Sequence, residues 1–150
     1  MNPLVSSLQK AEREIVINYP LNEVKAAIML LFEKFPSKYM LQENDINEVF
    51  NTYHFPISNN LNPAIADIAL TEEGDKTRIQ ITVTNAYGSL SSNSILVGIL
   101  SDYLLVLGKV LNKESLEDIA QTVNRSSVNS GCLILFLVGL GLLVLYVLLT

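Results

Sequence analysis

The sequence predicts an α+β fold: an antiparallel sheet with two helices on one face, in the order β-α-β-β-β-β-α, followed by one C-terminal transmembrane helix. Three observations predict it. The stretch KTRIQITVT, 76–84, alternates apolar and polar side chains with the period of a half-buried strand. Two longer stretches, 22–35 and 95–111, carry apolar residues at helical spacing. The chain closes on CLILFLVGLGLLVLYVLLT, 132–150, without one charged residue. No parallel crossover series or internal repeat is visible, so strands and helices are expected to form an antiparallel sheet with helices on one side.

The elements follow in order. EIVINY, 14–19, alternates Ile15, Ile17 and Tyr19 against polar neighbours and reads as a strand that Pro20 ends. Asn22 is the predicted cap of a helix in which Val24, Ala27, Ile28, Leu31 and Phe35 share a face, and Phe35-Pro36 stops it. KYMLQEND, 38–45, and EVFNTYHFPI, 48–57, read as strands. In the second, Val49, Tyr53, Phe55 and Ile57 share one face, with Phe50, Thr52 and His54 on the other. SNNLNP is a loop. AIADIAL and KTRIQITVT then form a hairpin around EEGD, with Gly74 supplying the turn. Ile79, Ile81 and Val83 face in; Arg78, Gln80, Thr82 and Thr84 face out.

After the small polar stretch YGSLSSNS comes ILVGILSDYLLVLGKVL, 95–111, in which Gly98, Asp102 and Lys109 form one narrow stripe on an otherwise apolar surface. As a second membrane span it would place Asp102 near mid-bilayer at a cost of ~2.5–3.5 kcal/mol. It is therefore read as a mostly buried helix of a water-soluble domain. In 112–131, Leu116, Ile119 and Val123 are spaced for one face of a short helix, after which Ser, Asn and Gly form a tether.

Cys132 to Leu149 span roughly 27 Å as a helix, close to the thickness of bilayer hydrocarbon. A core helix of this kind would need protein on every side, which a small domain cannot easily supply. Only Thr150 follows, and Arg125 lies on the N-terminal flank. The expectation is a single-pass, tail-anchored membrane protein with its N-terminal domain in the cytoplasm. The predicted organisation is an α+β domain over 1–112, a short helix and linker over 113–131, and a transmembrane anchor over 132–149.

Composition narrows the function. The chain has 150 residues and a net charge of −5, so a nucleic-acid partner, which needs a basic face, is not expected. Cys132 is the one cysteine, so no internal disulfide forms. The N-terminus lacks the basic start and apolar run of a signal peptide. His54 is the one histidine and reads as a structural residue on a strand. Glu43, Asp45 and Glu48, like Glu72, Glu73 and Asp75, read as solvated turns rather than cation ligands. No phosphate-cradling loop or nucleophile elbow is present. No catalytic residue, metal or cofactor is assigned, and enzyme activity is unsupported.

Three stretches carry a family resemblance. EIVINYPLNEVKAAI resembles a strand running through proline into a helix with an early valine. EEGDKTRIQITVT resembles a Gly-then-Thr turn into an outward-polar strand, and SILVGILSDYLLVLGKVL stands where a long C-terminal helix is gripped by a sheet. In this order, over about residues 12 to 112, they resemble the helix-grip class, the START/Bet v 1-like (polyketide cyclase-like) superfamily. The same order is similar to the TATA-binding-protein fold class, to which helix-grip domains are structurally akin. The body is shorter than typical helix-grip members, with fewer strands between its helices, which speaks against a large internal cavity.

The resemblance implies binding of a lipid or other hydrophobic ligand between the long helix and the sheet, with Tyr53, Ile81, Ile99, Tyr103 and Val106 as the lining. The helix also reads as plain core. On that alternative the domain is a non-catalytic, membrane-anchored adapter that docks a protein partner.

Overall fold

A computed structural model of the chain describes residues 9–42, 45–59, 63–86 and 91–125. The predicted anchor, 132–149, lies outside the described residues. Five strands form one antiparallel sheet in the order β1-β5-β4-β3-β2: β1 is Lys10–Ile17, β2 Ile46–Asn47, β3 Thr52–Ile57, β4 Ala64–Glu73 and β5 Lys76–Asn85. Three helices, α1 (Leu21–Lys34), α2 (Asn93–Leu111) and α3 (Leu116–Arg125), share a core with the sheet's inner face.

The β4–β5 hairpin is the longest pairing, running from Ala64↔Asn85 to Glu73↔Lys76. Its two-residue turn places Gly74 first, at φ 68, a conformation that matches the twist of the flanking strands and favours glycine. Strand β5 has the predicted faces: Ile79, Ile81 and Val83 are buried. Facing them on β4, Ala66 and Ile68 alternate small and large, and Ala66 stands opposite Phe55 of β3. The small side chain leaves room for the ring.

Several local expectations change. β1 begins four residues before the predicted start, because Ala11 pairs with Val83 and only it is fully buried. Its polar lead-in gives little apolar alternation to read. Arg13 stands opposite Ile81 at this sheet edge and remains exposed, a charge that discourages edge-to-edge pairing. Asn22 is not the cap. The helix starts at Leu21 behind Pro20, whose carbonyl accepts from the Glu23 and Val24 amides at 3.0 and 3.2 Å. Phe32, rather than Phe35, completes the buried face; Phe35 caps the C-terminus, donating its amide to Leu31 at 2.9 Å.

Among the described residues of the expected strand over 38–45, a bridge between Tyr39 and Ile57 forms, and the short edge strand lies at Ile46–Asn47. Val49 does not join the Tyr53 face. It is 84% exposed, in a turn that closes with Asn51 at φ 51. The turn chemistry of ENDINEVFN is what the alternation there conceals: Asn47 Oδ1 accepts from the Phe50 amide, and Asp45 Oδ2 from that of Gln42.

Helix α2 buries Leu96, Ile99, Leu100, Tyr103, Val106 and Leu107 along most of its length. Its end is a two-bond cap: the Lys113 amide donates to Val110 at 2.9 Å, and that of Glu114 to Lys109 at 3.0 Å. Lys113 holds the left-handed position, φ 57, which usually belongs to glycine. Ser115 then caps α3, its Oγ accepting from the Asp118 amide at 3.2 Å. Ile119 and Val123 carry α3 into the core, while Leu116 is 50% exposed. Tyr19 closes the corner: its hydroxyl donates to Asn112 Oδ1 and its carbonyl accepts from the buried Thr77 hydroxyl, both at 2.8 Å.

Lys113→Gly should stabilise the fold by about 1 kcal/mol, because the β-carbon penalty at the left-handed position disappears. A urea midpoint that stays level or falls on this substitution would show that the cap does not hold α2 to α3 in this way.

Candidate functional site

The chemistry-bearing candidates fall on two surfaces. On the outer face of the sheet, His54 Nδ1 lies 2.6 Å from Asp67 Oδ1, a cross-strand pair with both side chains more than half exposed. Arg78 joins Glu73 and Glu14, and Gln80 Nε2 donates to Glu14 Oε2 at 2.8 Å. The hydrogen bonds from Gln80 and Arg78 hold the Glu14 carboxyl below its ordinary value. These are solvated cross-strand contacts of small individual worth. Among the described residues, no group of three or more His, Cys, Asp or Glu side chains is placed to hold a metal.

The inner surface is different. Tyr53, Ile81, Ile99, Tyr103 and Val106, the five candidate lining residues, are all buried there, between 0 and 6% exposed. Among the described clefts, none is lined by all five. The core beneath α2 is filled by rings: Tyr103 meets Tyr39 edge-on at 5.5 Å and Phe55 at 5.7 Å, and Phe55 meets Phe32 edge-on at 4.8 Å. A cleft of about 10 Å³ remains at the flank of α2, lined by Lys38, Tyr39, Ile57, Asn59, Ile99, Asp102 and Tyr103.

This cleft is where polarity enters the core. The Tyr103 hydroxyl is buried and has no hydrogen-bond partner among the described residues. Such a group costs about 1–3 kcal/mol against a phenylalanine that would pack equally well. Burial, and then the neighbouring Tyr39 and Tyr53, push its ionisation far above the ordinary range, so it stays a neutral hydroxyl. Burial raises Tyr39 and Tyr53 likewise. At the rim stand Lys38 and Asp102, both half-buried. Burial lowers Lys38 and raises Asp102, and each charge partly offsets the other's shift.

Ile99 and Tyr103 thus reach the cleft, whereas Tyr53, Ile81 and Val106 are buried without lining it. Sequence reasoning missed Lys38, Tyr39 and Asn59. They reach α2 only because the Phe35–Tyr39 turn and the end of β3 are stitched together, Met40 donating to Pro56 at 3.1 Å and Ser58 to Lys38 at 2.8 Å. The available signal was Asp102 itself, a charge near the middle of an apolar helix.

No protein-family model and no curated protein matches the chain. Solved structures do. Ara h 8.0201, a Bet v 1-type allergen, superposes with a TM-score of 0.51 at 12% identity, over 69% of this chain and 94% of its own. TTHA0849 from Thermus thermophilus gives 0.40 at 15% identity, over 79% of this chain and 99% of its own. The first likeness, with the five-stranded antiparallel sheet and the long α2 against it, defines a Bet v 1-like helix-grip fold. At 12% identity the likeness concerns the fold alone.

The raised Asp102 carboxyl has a consequence for stability. Above its ordinary value of 3.8, the folded state holds this proton more tightly than the unfolded one. Stability from this group therefore falls as pH rises from 3.8 towards the raised value. Asp102→Asn should remove that fall, so the variant gains on the wild type with rising pH across this window, as read from urea midpoints. A difference between the two proteins that does not change with pH would contradict the burial of this carboxyl.

Proposed function

We propose that the domain binds a hydrophobic ligand between α2 and the inner face of the sheet, and that residues 132–149 anchor it in a membrane as a single-pass tail with the domain in the cytoplasm. The observation that carries the ligand reading is the buried, unpartnered Tyr103 hydroxyl beside the one cleft that opens along α2 among the described clefts. A core selected for packing alone gains nothing from that oxygen. The fold supports the reading too, since a long helix lying across an aromatic-lined sheet can part from it without unpairing any strand. The ligand-bound state is then one in which α2 and the rings have shifted to enlarge the cleft. The anchor reading rests on eighteen uncharged positions long enough to cross hydrocarbon.

A second reading has its own support. α2 leaves Val97 41% and Leu105 54% exposed, with Leu104 half-buried beside them. This apolar strip would serve an adapter that docks a protein.

Native mass spectrometry of the full chain ejected from lipid nanodiscs tests the first reading. Residues 126–150 fused to a soluble carrier serve as control and should enter nanodiscs as well. The full chain is expected to retain an apolar molecule after the lipid shell is stripped, and the control to retain none. A naked full chain under conditions that preserve its fold would favour the adapter, and a control that stays out of nanodiscs would remove the anchor.

A further inference from the structure

The cleft also restricts what kind of hydrophobic molecule could occupy it. Its walls fall into two layers. Deepest is an aromatic and aliphatic wall, Tyr39, Ile57, Ile99 and Tyr103, all buried. Within this wall the Tyr103 hydroxyl is the polar atom left without a partner. At the mouth, Lys38 and Asp102 bring one charge of each sign, and Asn59 a neutral amide.

A ligand that is purely hydrocarbon leaves the Tyr103 oxygen unpaired and even further from water. A ligand with a formal charge fares worse. Placed beside Tyr103 it would be buried among rings, and the opposite charges of Lys38 and Asp102 cannot both favour it. A ligand with one neutral oxygen meets every condition. Its hydroxyl or carbonyl accepts a hydrogen bond from Tyr103, and its apolar length takes the place that the rings yield.

We infer that the site selects neutral, predominantly apolar molecules carrying a single hydroxyl or carbonyl, of the chemical class of a long-chain alcohol, with Tyr103 as the polar contact and the Lys38–Asp102 rim as the point of access. This rests on the ligand-binding reading above and adds selectivity to it. α2 suits such access because its exposed flank, Val97 and Leu105, is apolar as well, and its two charged side chains, Asp102 and Lys109, lie on one stripe, where Lys109 is paired with Glu114. The Lys38 side must move with the Phe35–Tyr39 turn, which is held to β3 by the Met40 and Ser58 amide bonds rather than by a full strand ladder.

The test uses the full chain in phosphatidylcholine nanodiscs and three photoactivatable probes at equal mole fraction: hexadecanol, hexadecane and hexadecanoic acid, each with the same mid-chain diazirine. Cross-links are mapped by mass spectrometry, and labelling of peptides from β3, β5 and α2 is normalised to labelling within 132–149. In the wild type the alcohol should label the inner-face peptides about tenfold more than the alkane, the scale of one buried hydrogen bond. In Tyr103→Phe the two should agree within about twofold, with alkane labelling no lower than in the wild type, which also reports that the variant is folded.

An alcohol-to-alkane ratio near one in the wild type overturns the selectivity, whatever the variant does. So does a ratio that survives Tyr103→Phe, or a hexadecanoic acid probe that outperforms the alcohol. In each of those cases inner-face labelling still stands for ligand binding. Absence of inner-face labelling by every probe removes the ligand reading itself.

Discussion

The constraint on which the rest depends is the burial of α2. Its nineteen residues are apolar enough to cross a membrane by composition. In a water-soluble domain such a helix needs a large apolar surface against it, and a five-stranded sheet with alternating faces is what this chain provides. The inner faces of β1 and β5, together with Phe55 of β3, supply that surface, while α1 and α3 pack along its flanks. Removing this apolar area from water at roughly 25 cal/mol per Å² is the main favourable term in assembling the domain. Hairpin, caps and cross-strand pairs then fix the register in which it happens.

The same constraint creates the candidate site. A helix buried on one side and partly exposed on the other has a boundary along each flank, and polar groups collect there. On the flank facing the Phe35–Tyr39 turn, that boundary brings Lys38, Asn59 and Asp102 to the edge of an aromatic core. Tyr103 lies one position beyond Asp102 and turns inward, which puts its hydroxyl among rings rather than in water. Packing efficiency and polar satisfaction disagree at this residue. Such disagreement within an otherwise consistent core is where function is best sought.

Much of the fold was legible in the sequence because the strongest signals are local. Strand β5 alternates without a break, Gly74 sits where the hairpin needs a left-handed residue, and α1 and α2 carry apolar residues at helical spacing. The shortfalls have physical reasons. β1 is an edge strand, so Glu12, Arg13 and Glu14 are solvated and mask its first half. Residues 38–42 and 45–50 hold strand-like composition but form turns pinned by Asp45, Asn47 and Asn51, leaving Val49 and Phe50 exposed. For the site, the five candidate residues are all buried, Tyr53 and Ile81 on strands and Ile99, Tyr103 and Val106 on α2. Their alternation could not show that rings fill the space between them, nor that Lys38 and Asn59 come from distant segments to face Asp102.

Chemical labelling along α2 tests the central claim most directly. In the full chain, reconstituted in vesicles with Cys132→Ser as background, single cysteines replace Leu105, 54% exposed, and Leu100, 2% exposed. A membrane-impermeant maleimide should react at 105 without detergent and at 100 only after denaturant opens the domain. If both positions stay protected until detergent dissolves the bilayer, α2 spans the membrane, and a sheet gripping this helix is the wrong description of the protein.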